Sequence, residues 1–135
     1  MGFLSGMKIK KLNEDQCIVS VPFKWLNKNP FKSTFWAVLG MAGEMSTAAL
    51  ILQYTYKQNP SFSTLPVKCE AHFNKKAVGI TSLICNDGKM VKEKLKEATE
   101  TKKPVVIKAS TQGIDKNSNI ICDFKFTWSV KAREF

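Results

Sequence analysis

Histidine is nearly absent from this chain: His72 is the one imidazole in 135 residues, and nearly all the basic residues are lysines rather than arginines. The four cysteines, Cys17, Cys69, Cys85 and Cys122, are widely separated, form no CxxC pair and have one histidine to draw on, so they do not spell a zinc site. They read as reduced core residues. No Walker loop, no GxGxxG fingerprint and no HExxH occurs, which leaves phosphoryl transfer and zinc hydrolysis without support. The start, MGFLSGMKIKKL, has no basic stretch followed by a long apolar run and a cleavage site, and Gly6 stands where a myristoylation signal wants Ser or Thr. The expected location is cytoplasmic.

What the chain does have is charge and a core. At 44% hydrophobic content, 135 residues suit one domain over residues 1–135 that needs no disulfide staples. A formal charge of +10, from 21 Lys+Arg against 11 Asp+Glu, sets up a field that attracts phosphates, nucleic acid or an anionic surface. Nucleic-acid readers cluster arginine and display aromatics on a strand motif, whereas these lysines are dispersed; a nucleic-acid partner is not expected.

Residues 7–12 and 16–23 alternate apolar and polar positions around the turn-forming Asn13, Glu14 and Asp15, which predicts a hairpin. Ser33 or Thr34 is placed to cap a helix beginning at residue 35 and running to about residue 58, before Asn59 and Pro60. Its first eighteen residues, FWAVLGMAGEMSTAALIL, hold one charge, Glu44. A carboxylate at the centre of a membrane span costs several kcal/mol, about 3 or more, so the segment reads as a buried helix. Its Gly, Ala and Ser residues allow close approach to a sheet. Strands are expected over residues 65–73, 77–85, 105–109 and 120–130. Between the second and third of these, Val91, Leu95 and Ala98 recur at i, i+4 and i+7, predicting a surface helix over residues 90–101. A run of strands with one helix that must be buried predicts an α+β fold, an antiparallel sheet of about six strands wrapped around that helix.

The element order, together with Asn29-Pro30-Phe31-Lys32 leading into the helix and an acidic residue fifteen positions after Asn29, resembles the hotdog superfamily of acyl-CoA thioesterases, either its phenylacetate-type members or an uncharacterised branch. The resemblance covers residues 7–133 in topology and about 16 residues in motif. It implies a thioester hydrolase in which Glu44 is nucleophile or general base, the amides near Trp36 and Ala37 hold the oxyanion, and Asn29 orients the carboxylate or the water. It also implies a homodimer or tetramer, with no cofactor beyond the coenzyme A of the substrate. Phe35 falls at the family's histidine, Lys32 at a glycine, and Trp36-Ala37 at paired glycines, so the alternative is a non-catalytic module that binds an acyl chain, an acyl-CoA or a protein partner.

Each residue has a second reading. Glu44 is either bonded to a hydroxyl such as Ser46 or Thr47, or turned to water; against this, an isolated charge in eighteen residues wants a partner or a purpose. Asn29 suits a turn before Pro30. Lys75 and Lys76, at a strand turn, and Lys32 read as contacts for the coenzyme's phosphates or as solvated side chains, and Phe35 as a substrate contact. His72 and Cys69 are three apart on a strand and point to opposite faces, which excludes a dyad. The strand over residues 65–73 is the expected sheet edge.

Overall fold

The computed structural model describes residues 6–23, 34, 36–57 and 61–133. The expected hairpin consists of β1 (Lys8–Leu12) and β2 (Cys17–Val21). Asn13 builds its turn. The Asn13 amide donates to the Gln16 carbonyl at 3.0 Å, and its side-chain oxygen accepts from the amides of Asp15 and Gln16 at 2.9 and 2.8 Å. Then follow the helix α1 (Trp36–Thr55), β3 (Phe62–Phe73), β4 (Thr81–Cys85), α2 (Gly88–Thr101), β5 (Val105–Ile114) and β6 (Ile120–Ala132). The six strands make one antiparallel sheet in the order β1-β2-β4-β5-β6-β3, which leaves β3 at an edge, as expected.

Several boundaries differ from the sequence reading, each for a local reason. β3 starts at Phe62 rather than 65, because Pro66 is tolerated where a strand has one neighbour; the ladder bulges just after it, between Pro66 and Lys68. β5 continues past 109 to Ile114 through Gly113, where a Cβ would meet Cys122 Sγ at 2.6 Å. The strand expected over 77–85 begins only at Thr81, since Ala77 is engaged elsewhere: Thr34 donates to the Ala77 carbonyl through its amide at 2.8 Å and its hydroxyl at 3.1 Å. The Thr34 hydroxyl, proposed as a helix cap, is thus a donor to the neighbouring segment; Ser33 lies outside the described residues. Helix α1 ends at Thr55, short of 58, and two residues on Lys57 takes the left-handed conformation, φ 53°, that commonly closes a helix.

The sheet curls around α1. Leu50 and Ile51 from the helix are fully buried with Val19, Leu83 and Ile107 from the sheet, each such side chain contributing about 1.5–3 kcal/mol. Contact between α1 and the sheet is greatest at β2 and falls through β4 and β5 to β6; it is weakest at β3. The helix is seated off centre. Helix α2 buries its Val91, Leu95 and Ala98 face, the stripe expected from their spacing, where it packs against β5, β6 and α1. Three of the cysteines are buried as expected, but Cys69 is exposed, because it lies on the part of β3 that the helix does not cover.

Gly88 opens α2 with its amide on the Asp15 carbonyl at 3.1 Å, and a Cβ there would collide with the Glu14 carbonyl oxygen. Backbone cannot swing aside as a side chain does. Gly88→Ala is expected to lower unfolding free energy by about 1–3 kcal/mol, read as a lower urea midpoint with an unchanged m value; an unchanged midpoint would contradict this packing.

Candidate functional site

Along α1, positions 36, 40, 44, 48 and 52 recur every four residues and form one stripe. Trp36, Glu44 and Leu52 on it are exposed, and Gly40 and Ala48 are half-buried. Across from this stripe stands β3. Its residues Thr64, Cys69, Ala71 and Phe73 pair with Val130, Phe126, Phe124 and Cys122 of β6, all of them buried, so they face the interior side of the sheet. Yet Cys69, Ala71 and Phe73 are exposed and Thr64 is only half-buried. The off-centre helix has left a groove between α1 and β3.

Aromatic rings form the floor. Phe124 and Phe126 stack at 5.9 Å between centroids with 19° between planes, and Phe73 meets Phe124 edge-on at 5.7 Å. Further along, the Trp128 indole N–H donates to the Thr47 hydroxyl at 3.0 Å, which fixes the ring against the helix. At one end of the groove Trp36 and Leu39 of α1, with Phe73, Lys75 and Lys76, line a cavity of about 380 Å³. The turn that carries these lysines is held by the Asn74 and Lys75 amides, which both donate to the Ile121 carbonyl, at 2.8 and 3.2 Å. Toward the other end Ala48, Ile51, Leu52, Thr64 and Trp128 line a partly open apolar chamber of about 190 Å³.

Glu44 lies between the two. The hydroxyls proposed as its partners are used elsewhere: Ser46 donates to the Gly43 carbonyl at 2.7 Å and lies 2.8 Å from the Thr111 hydroxyl, while Thr47 donates to the backbone carbonyl of Glu44 at 2.9 Å. Among the described residues no side chain bonds the Glu44 carboxylate. Its charge reaches across the groove, where the Cys69 thiol is raised above its ordinary pKa first by partial burial and then by Glu44 and Glu70. That direction is opposite to the lowering that marks an activated thiolate.

The structure thus brings Trp36, Lys75 and Lys76 into one cavity, with Ala37 half-buried beside Trp36 in the first turn of α1 and Glu44 two turns further along. Asn29, Lys32 and Phe35 lie outside the described residues. His72 sits opposite Asp123, on the sheet face away from Cys69. The chamber residues Ala48, Leu52, Thr64 and Trp128 were not among the sequence-derived candidates. For Ala48 and Leu52 the signal was present, as the i+4 continuation of Glu44; for Thr64 it was not, because Pro66 hid the start of its strand.

Among the described residues no helix is long and apolar enough to cross a membrane. Neither a protein-family model nor any curated protein matches the chain. Solved structures do. A Pseudomonas aeruginosa protein of unknown function, named a probable thioesterase, superposes with a TM-score of 0.84 at 17% identity over 98% of this chain and 89% of that one. A thioesterase from Haemophilus influenzae gives 0.72 at 12% identity over 97% and 82% of the two chains. A substituted form of a thioesterase from Staphylococcus aureus gives 0.71 at 12% identity over 96% and 97%.

Two glycines of α1 separate groove from core. A Cβ on Gly40 meets only Phe124, at 3.6 Å, whereas one on Gly43 meets Phe124, Thr111 and Phe126 at 3.1, 3.2 and 3.3 Å. Gly40→Ala is expected to stabilise the fold by about 0.5–1 kcal/mol through helix propensity, and Gly43→Ala to gain less or lose stability. Thermal unfolding that ranks the two in the opposite order would contradict the placement of the groove.

Proposed function

The chain has the hotdog fold, and on that premise we propose that it hydrolyses thioesters of the acyl-CoA class in the groove between α1 and β3. The observation that carries the proposal is Glu44: an isolated carboxylate in an otherwise uncharged twenty-residue helix, turned into the one groove where the core is uncovered among the described residues. Names borne by structural neighbours agree with this reading.

In this mechanism Glu44 takes a proton from water as the water oxygen adds to the thioester carbonyl, or adds to the carbon itself. First-turn amides at Trp36 and Ala37 carry the positive partial charge of a helix start and stabilise the oxyanion. On collapse the C–S bond breaks: in the base route the thiolate receives the proton that Glu44 took from water, and in the nucleophile route the thiolate leaves first and water then cleaves the acyl–Glu44 anhydride, releasing the acid, restoring the carboxylate and supplying the thiolate's proton. Asn29 orients the carboxylate or the water. Lys75, Lys76 and Lys32 hold the phosphates of coenzyme A, Phe35 and Trp36 border the substrate, and no further cofactor takes part. Four free cysteines suit the reducing cytoplasm.

A second copy of the chain completes the site. Ala37 and Glu44 are seven residues apart, about 10 Å along the helix axis, while the carbon and oxygen of a carbonyl are about 1.2 Å apart. Glutamate leans toward the helix N-terminus and Gly40 leaves its path clear, but this closes only part of the distance. A partner whose α1 runs antiparallel would bring its own first turn to this Glu44. The β3 edge supplies the means of pairing, with Leu65 and Val67 exposed on it.

Two measurements test the proposal. With the best substrate from an acyl-CoA panel, Glu44→Gln is expected to fold and to lower kcat by about 100-fold or more with little change in KM, while Lys75→Ala with Lys76→Ala raises KM, most at low salt. Parental turnover in Glu44→Gln would remove the carboxylate from the mechanism; a parent that binds acyl-CoA without cleaving it would make the chain a binding module instead. Light scattering at micromolar concentration is expected to show a dimer, and a monomer would exclude the shared site.

A further inference from the structure

The groove does not end at the apolar chamber. Leu52 and Thr64 line both the chamber and a second cavity of about 440 Å³, which opens beyond it at the C-terminal end of α1. That outer cavity is more polar than the chamber: Lys57, Arg133, Ser61 and Ser63 line it, and among the described residues no acidic side chain does. Its walls are tied together. The Arg133 amide donates to the Ser61 carbonyl at 2.7 Å, joining the end of β6 to the start of β3, and the Lys57 ammonium lies 5.4 Å from the Tyr56 ring centroid.

We propose that chamber and outer cavity together bind a medium-chain carboxylate, its alkyl tail inward and its carboxylate between Lys57 and Arg133. The tail follows from the chamber. A dry cavity of about 150 Å³ accepts benzene, so about 190 Å³ holds a chain of roughly six to eight carbons. The head follows from charge. The last carbonyls of α1 carry about half a negative charge, which disfavours an anion, but two full cations stand against it and a guanidinium pairs a carboxylate through two parallel N–H bonds. Those two charges favour an ionised head over a neutral one, and a longer tail has no room inside unless it extends past Glu44. The site needs no chemistry from Glu44, so it stands apart from the hydrolytic reading.

The test is an NMR titration of the isotopically labelled full-length protein with octanoate, octan-1-ol and acetate. Octanoate is expected to shift the amides of Ala48, Leu52 and Thr64 and to bind about tenfold more tightly than octan-1-ol; acetate, lacking the tail, binds far more weakly. Arg133→Gln removes most of the difference between acid and alcohol. Lys57→Asn, which keeps a residue at ease in the left-handed conformation, reduces it independently should the first variant fold poorly. Ala48→Leu fills the chamber and weakens acid and alcohol alike. Equal affinity for octanoate and octan-1-ol, or an affinity for octanoate unchanged by Ala48→Leu or by both cation variants, would overturn the proposal. Turnover is not read, so a chain that hydrolyses no thioester still tests it.

Discussion

The close seating of α1 on the sheet governs the rest of the structure. At Gly43 the helix backbone comes so near that a methyl group would lie 3.1–3.3 Å from Phe124, Thr111 and Phe126. One turn on, the Thr47 hydroxyl accepts from Trp128 and donates to the Glu44 carbonyl, so a buried indole N–H is satisfied by the helix itself. Leaving such a donor unpaired costs about 1–3 kcal/mol. These contacts set the depth of the helix. Its strong packing against β2 and β4 draws it to one side of the sheet.

The groove is a consequence of that seating. Side chains on the stripe at 36, 44 and 52 would be buried under a helix centred on the sheet; here they look across at Cys69, Ala71 and Phe73, which are exposed though they belong to the interior face. Uncovered apolar surface beside an aromatic floor marks a place where something else binds. A cationic cavity at one end, a carboxylate in the middle and an apolar chamber that opens onto two more cations give the groove a polarity along its length. That order suits an acyl thioester with an anionic carrier.

Much of this was legible in the residues because the signals were local. Alternation over 17–23 and 120–130, Asn13 at the hairpin turn and the 91-95-98 stripe each name an element without tertiary information, and the isolation of Glu44 marks the helix face that must meet something polar. The losses have physical causes. Pro66 and Gly113 lower strand propensity, yet an edge position forgives the first and contact with Cys122 requires the second. Periodicity shows which residues share a face, but not how far along the sheet a helix slides. The exposure of Cys69, the contact of Thr34 with Ala77 and the chamber at Trp128 therefore became visible only with the fold.

The central claim is that a thioester lies in the α1–β3 groove with its reacting carbon at Glu44. A crystal structure with a non-hydrolysable thioether analogue of a medium-chain acyl-CoA tests it most directly. The account predicts the thioether sulfur and its neighbouring carbon within about 3.5 Å of the Glu44 carboxylate, with phosphates toward Lys75 and Lys76. An analogue bound with that carbon on any other surface, and Glu44 facing only water, would contradict it.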